Sequence, residues 1–225
     1  MSSSQTKVSE LVRLLRQRVE DSSGLAFTPQ ELYDSLDSAQ RYICSVIHNS
    51  YLTSLEREIT VLATSGFIDL STLADSNNNT LFRGNILSIS YMVENSVKDF
   101  KRVELSDIYK LDNTYLSANP ESYYYYVFAD KINLRPQNSY TVVIQYLTQP
   151  NEIYNAENSA IAEHCELEKV LIDPLLDFAE AYLWKMDNKP NRVQLCQTNG
   201  VTLINLLNER FSQERILGLK DVGDK

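Results

Sequence analysis

Residues 121–136 read ESYYYYVFADKINLRP, and the four consecutive tyrosines, Tyr123, Tyr124, Tyr125 and Tyr126, decide how the middle of the chain is read. Adjacent side chains on a strand point to opposite faces, so the run sets large amphipathic rings on both sides of a sheet. A strand over Tyr123 to Phe128 is followed by a second over Lys131 to Arg135. Ala129-Asp130 between them is short enough for a hairpin turn, although it lacks the usual glycine. A third strand, Tyr140 to Leu147, follows Pro136-Gln137-Asn138-Ser139. A free monomer seldom needs aromatic surface on two faces at once, which makes packing between neighbours one reading of the run.

Outward from this stretch the strand pattern continues upstream. Glu58-Ile59-Thr60-Val61 and Phe67-Ile68-Asp69-Leu70 alternate, and Ile86 to Val93 is rich in strand formers. Asp75 to Asn79 is a loop by composition, and Val103 to Leu111 suits a short helix. Both ends of the chain carry a helical period instead. Val8, Leu11, Val12, Leu15 and Val19 mark a first helix. Thr28-Pro29-Gln30-Glu31 opens a second, with a capping threonine, proline at the first position and glutamate three residues after the cap. Its apolar face, Leu32, Leu36, Ala39, Ile43, Val46 and Ile47, runs to about Tyr51, and Gly24 separates the two helices.

After Pro150 the helical period returns. Leu167 to Asp187 is a strong helix that Pro174 either kinks or restarts behind Asp173, and Arg192 to about Glu214 forms the last. The order helices, strands, helices predicts an α+β fold, N- and C-terminal helices packed as a bundle around a β-rich insert, with an extended C-terminal arm. The expected divisions are residues 1–54, 55–150, 151–212 and 213–225. In the long C-terminal helix Leu171, Leu175, Phe178 and Tyr182 form one stripe; Ile172, Leu176, Ala179, Leu183 and Met186 form another beside it. So wide an arc means a helix central in its own domain or one shared with a partner.

Composition narrows the function. The 225 residues are 43% hydrophobic and 23% charged, an ordinary globular balance, and the net charge is −9. Duplex-binding proteins need a basic footprint, so passive contact with DNA is compatible with this charge and wrapping is not. No apolar run approaches the roughly 20 residues of a membrane span, and MSSSQTKVSELVRLL has no signal-peptide core, which points to a cytosol-like compartment. Cys44, Cys165 and Cys196 are odd in number and widely spaced, as buried reduced thiols would be. Cys44 and His48 stand at i, i+4, yet no second pair completes a zinc site, and His164-Cys165-Glu166 is equally incomplete. With six glycines there is no phosphate-cradling loop, and no nucleophile elbow or zinc-protease motif. Glu163, Glu166, Glu168, Asp173 and Asp177 read as a solvated face. No enzyme, cofactor or metal is expected.

Fourteen tyrosines against one tryptophan is a skewed aromatic set. Tyrosine suits a sheet covering a helix, a subunit contact, or a stacking platform for single-stranded nucleic acid. The only basic residues near the run are Lys131 and Arg135, so packing and interface readings lead.

Three strings in this order resemble the head-to-tail adaptor proteins of tailed bacteriophages, in their short-tailed-phage branch. FTPQELYDSLDSAQRYI (27–43) is similar to the family's capped helix ending A-Q-R-x-I. DKINLRPQNSYTVVIQYLTQP (130–150) is similar to its hairpin I-x-L-x-P … V-x-I-x-Y. LIDPLLDFAEAYLWKM (171–186) followed by RVQLCQTNGVTLINLLNERF is similar to its last two helices. The likeness covers roughly two thirds of the chain and gives out between about Asp75 and Tyr126.

The resemblance implies a structural ring, a homo-dodecamer, between portal protein and a tail or nozzle protein. It would extend the DNA channel and reside at the head–tail junction of the virion after assembly in the host cytoplasm. Lateral contacts would fall to Tyr123, Tyr124, Tyr125, Tyr126, Leu175, Phe178 and Tyr182. Phe211, Ile216 and Leu217 would belong to an arm that orders on docking to the portal, the alternative being a frayed terminus. A tail-tube or tail-completion protein is the nearest competing role, and a nucleic-acid-binding accessory protein the competitor from another class.

Overall fold

A computed structural model describes residues 6–73, 81–93, 96–108, 123–155 and 160–220. The chain divides into two compact units, a helical one (Met1–Ser54 with Pro150–Lys225) and a β one (Leu55–Gln149). The loop expected at 75–79 lies outside the described residues, as do 109–122.

In the helical unit α1 spans Val8–Arg18 and α2 Pro29–Val46. The capping box forms as written: the Glu31 N–H donates to Thr28 Oγ1 (3.3 Å), and Glu31 Oε2 accepts from the Thr28 N–H (2.7 Å). Between the helices Asp21, 2% exposed, accepts from the N–H groups of Leu25, Ala26 and Phe27, while Arg16 pairs with its other side. One buried carboxylate thus gathers three successive N–H groups of the connection. Helix α2 ends earlier than its apolar pattern predicts, because Ile47 turns extended (ψ 152°) and a short 3₁₀ turn, Asn49–Tyr51, follows.

Pro174 restarts rather than kinks its helix. A 3₁₀ turn at Lys169–Leu171 leads into α3 (Ile172–Met186), with Pro174 in the first turn, where a missing N–H costs no hydrogen bond. Asn188, at φ 53°, then turns the chain into α4, Pro190–Lys220. The expected end near Glu214 is passed because 213–220 holds no proline to stop the helix, so that part of the arm is helical.

Helix α3 packs against α1, α2 and α4, and Leu171, Leu175, Leu176, Ala179 and Leu183 are buried among them. Its wide apolar arc is that of a helix central in its own unit.

Among the described residues the β unit holds two four-stranded sheets. The first has the order β1 (Glu56–Ala63), β8 (Tyr140–Thr148), β3 (Leu81–Val93), β4 (Ser96–Asp99), all antiparallel. The second has the order β2 (Phe67–Asp69), β7 (Lys131–Arg135), β6 (Tyr124–Phe128), β5 (Lys101–Arg102), where only β5 runs parallel to its neighbour. Alternate residues of both sheets meet in one core. Ile89, Tyr91, Tyr140, Val142, Ile144 and Tyr146 come from the first, and Ile68, Tyr125, Ile132 and Leu134 from the second. A short ribbon, β9 (Tyr154–Asn155) with β10 (Ala160–Ile161), belongs to the helical unit.

The β6–β7 hairpin closes through Ala129 and Asp130 at φ 49° and 58°, the left-handed pair of a type I′ turn. Alanine does not favour that region and aspartate only tolerates it, so the pair carries strain of about 1 kcal/mol. The double substitution Ala129→Asn, Asp130→Gly is expected to raise the unfolding free energy by about 1 kcal/mol, measurable by urea denaturation. An unchanged midpoint would show that the strain is relieved elsewhere.

Candidate interaction surface of the helical unit

The four tyrosines obey strand alternation, but three of the rings pack within the protomer itself. Tyr123 joins Tyr91, Phe100 and Tyr140 in an edge-to-face cluster with centroids 4.9–6.3 Å apart, and Tyr125 is buried in the same core. On the opposite face Tyr126 is also buried. Its hydroxyl accepts from Arg135 Nη2 (3.1 Å), whose guanidinium lies 5.5 Å from the ring centre. Tyr124 is half-buried. The expected lateral contact through all four rings is therefore corrected for Tyr125 and Tyr126, which are covered within one chain. The same burial takes Tyr125 and Tyr126 out of any stacking platform for single-stranded nucleic acid.

Leu175 is likewise core, fully buried in the helical unit. Phe178 and Tyr182 lie differently. Together with Ser38, Ala39, Tyr42, Ala181, Lys185, Gln197 and Val201 they line a groove of about 370 Å³ between α2 and α4, floored by α3. Phe178 meets Tyr42 edge-on (4.6 Å between centroids). A Cβ on Gly200 would come within 2.9 Å of the Phe178 ring, so this mid-helix glycine is what lets α4 close over that ring. Tyr42 is 44% and Tyr182 41% exposed, leaving an apolar, tyrosine-edged face open. Of the residues named from sequence whose side chains the structure describes, Tyr182 is the exposed member. Tyr42 and Val201 were missed because they flank the main apolar stripes; Gly200 inside a helical pattern was the available signal of close approach.

Phe211 belongs to this unit rather than to a free arm. Its ring stacks on His48 (3.6 Å between centroids). One turn before it, Asn208 caps the end of α2, accepting from the His48 N–H (2.9 Å) and donating to the Val46 carbonyl (3.1 Å). Tyr51 Oη donates to the Leu207 carbonyl (3.0 Å). Helix α4, at 31 residues about 46 Å long, outruns the 15-residue α3, and this clasp holds the part that overhangs. Ile216 and Leu217 lie on the same helix past the clasp.

The family model of the SU10 adaptor protein matches residues 6–215, across both units. The chain belongs to that family. It is a structural adaptor of a phage, as the three resembling strings imply, and the match also runs through 75–126, where those strings give out. No curated protein matches it.

The Cys44–His48 pair does not share a helix face, because α2 ends between them; Cys44 is buried and His48 exposed. Cys165 lies buried with its thiol 3.3 Å from Gln40 Oε1, and burial pushes its pKa up to about 11. Burial, with Glu180 beside it, pushes Cys196 up to about 12. Arg18 bridges Asp173 and Asp177, so two of the clustered carboxylates form a tie between α1 and α3. Among the described residues no group of histidine, cysteine and carboxylate side chains is placed to hold a metal, and no helix is long and apolar enough to cross a membrane.

These thiols should be inert. At pH 8 a group with a pKa near 11 is ionised to roughly one part in a thousand, and burial blocks access to what thiolate there is. Iodoacetamide is expected to leave the folded chain unmodified by mass spectrometry and to add three groups in urea. Labelling of the native protein would place one of the cysteines at an open surface.

Proposed function

We propose that this chain is a head-to-tail adaptor that assembles as a ring between the portal and the tail of its phage and extends the DNA channel. The family match over residues 6–215 carries the reading. The acidic balance, −9 overall, suits a wall that packaged DNA passes without sticking. The open face around Tyr42 and Tyr182 suits a lateral contact, and the overhang of α4 beyond Phe211, with Ile216 and Leu217, suits an axial one to the portal. Residence in the virion, assembly in the host cytoplasm and twelvefold symmetry belong to the same proposal.

Light scattering with and without the cognate portal ring tests it. A ring-on-ring mass that survives nuclease treatment is expected; a chain that ignores the portal would sink the proposal. Truncation after Ser212 separates the axial role from folding, because it keeps Asn208 and Phe211 in the clasp. The truncated chain is expected to keep its thermal midpoint within about 2 °C and to lose portal binding. Unimpaired binding would remove the overhang from the interface.

A further inference from the structure

Resting on the adaptor reading above, we infer that the loop carrying Leu25 in one copy docks into the Tyr42–Tyr182 groove of the next copy. Leu25 is 90% exposed, the most exposed large apolar residue among those described. A lone surface leucine is unremarkable, but this one is held in place. The buried Asp21 carboxylate accepts from its N–H (2.9 Å) and from those of Ala26 (3.0 Å) and Phe27 (3.2 Å). Arg16 locks the carboxylate from behind (2.6 Å) and donates to the Phe27 carbonyl (3.3 Å). A knob already fixed in shape loses little entropy on docking.

The groove offers a matching socket. Ala39 and Ala181 are small, and Tyr42, Phe178, Tyr182 and Val201 surround them with apolar surface. Charge adds to the fit: Lys185 lines the groove, while Glu31 stands with Ala26 and Phe27 at the foot of the Leu25 loop, where Glu20 is paired with Arg192 and Lys189 with Asp187. Within one chain neither part satisfies the other, since Leu25 stays exposed and so do Tyr42 and Tyr182. Contact between two unlike patches is heterologous, the type that propagates around a ring instead of closing a two-fold dimer. One leucine and its loop bury far less than the roughly 1,000 Å² of a stable pair. The contact is therefore weak between free copies and becomes effective when a common platform holds many copies side by side.

Disulfide trapping tests this directly, because Cys44, Cys165 and Cys196 are all buried and give no background. Full-length Leu25→Cys, Tyr182→Cys and the double variant are assembled on the cognate portal ring and oxidised. The double variant is expected to give a ladder of cross-linked multimers, an equal mixture of the single variants only dimers, and each single variant alone only monomers. A second variant, Leu25→Asp, is expected to reduce occupancy of the portal ring roughly tenfold with an unchanged thermal midpoint; it decides the matter if the double variant fails to assemble. Full-mass complexes without cross-links, or wild-type occupancy for Leu25→Asp, would overturn the knob-and-groove contact and leave the adaptor reading standing. Failure of the wild-type chain to join the portal would remove both.

Discussion

Asp21→Ala is expected to lower the unfolding free energy by about 3–5 kcal/mol, the scale for breaking a buried, hydrogen-bonded ion pair. The substitution leaves Arg16 without its carboxylate partner and strands the N–H groups of Leu25, Ala26 and Phe27 in a connection otherwise held by the Arg16 bond to the Phe27 carbonyl and backbone bonds at Asp21 and Gly24. Urea denaturation gives the magnitude, and its pH dependence gives the cause. Hydrogen bonds from Ala26 and then Phe27 and Leu25, with Arg16 beside them, hold the Asp21 pKa below its ordinary value despite burial. A carboxylate bound more tightly as the anion when folded contributes stability above its unfolded pKa of about 3.9. That contribution is lost as pH falls through the folded pKa. The gap between wild type and Asp21→Ala should therefore be widest near neutrality and close in acid. Asp37 and Asp177 act in the opposite sense, since burial raises their pKa values and their effect favours the fold as pH falls. A gap that stayed constant with pH would mean that the loop depends on shape and not on the charge of Asp21.

The second large effect separates two residues that one helical stripe had joined. Leu175→Ala is expected to cost about 2–5 kcal/mol, because the side chain is fully buried at the centre of the helical unit and its removal leaves a cavity. Tyr182→Ala, two turns along the same helix, is expected to change stability by no more than about 0.5 kcal/mol, as exposed substitutions do. Its effect should appear in portal-bound assembly instead. A large stability loss for Tyr182→Ala would show the ring to be a packing residue of the monomer. A small loss for Leu175→Ala would mean that α3 can collapse around the gap.

Much of the fold was legible because its signals are local. The capping box at Thr28 and Glu31, the two-residue turn at Ala129-Asp130 and the period-two strands each act over a few residues, and each formed as written. The strands Ser96–Asp99 and Lys101–Arg102 were not legible, since four and two residues carry too short a pattern and are defined by their partners. Helix α2 was read past its end because the apolar pattern includes Ile47. What stops it is Asn208, 162 residues on from the Val46 carbonyl it bonds.

The surface was legible only in part. Tyr182 was named from its stripe, yet the same stripe offered Leu175, and only the positions of α2 and α4 around α3 distinguish them. The tyrosine run likewise predicted rings on two faces but not what covers them. By itself the sequence determined the element types, the α+β class and the absence of a recognisable catalytic motif, since periodicity, capping and motif spacing are properties of neighbouring residues. Tertiary structure alone decided which apolar residues are core and which are surface. Burial depends on how distant elements pack, and a helix or strand carries the same pattern whether its open face meets its own chain or another.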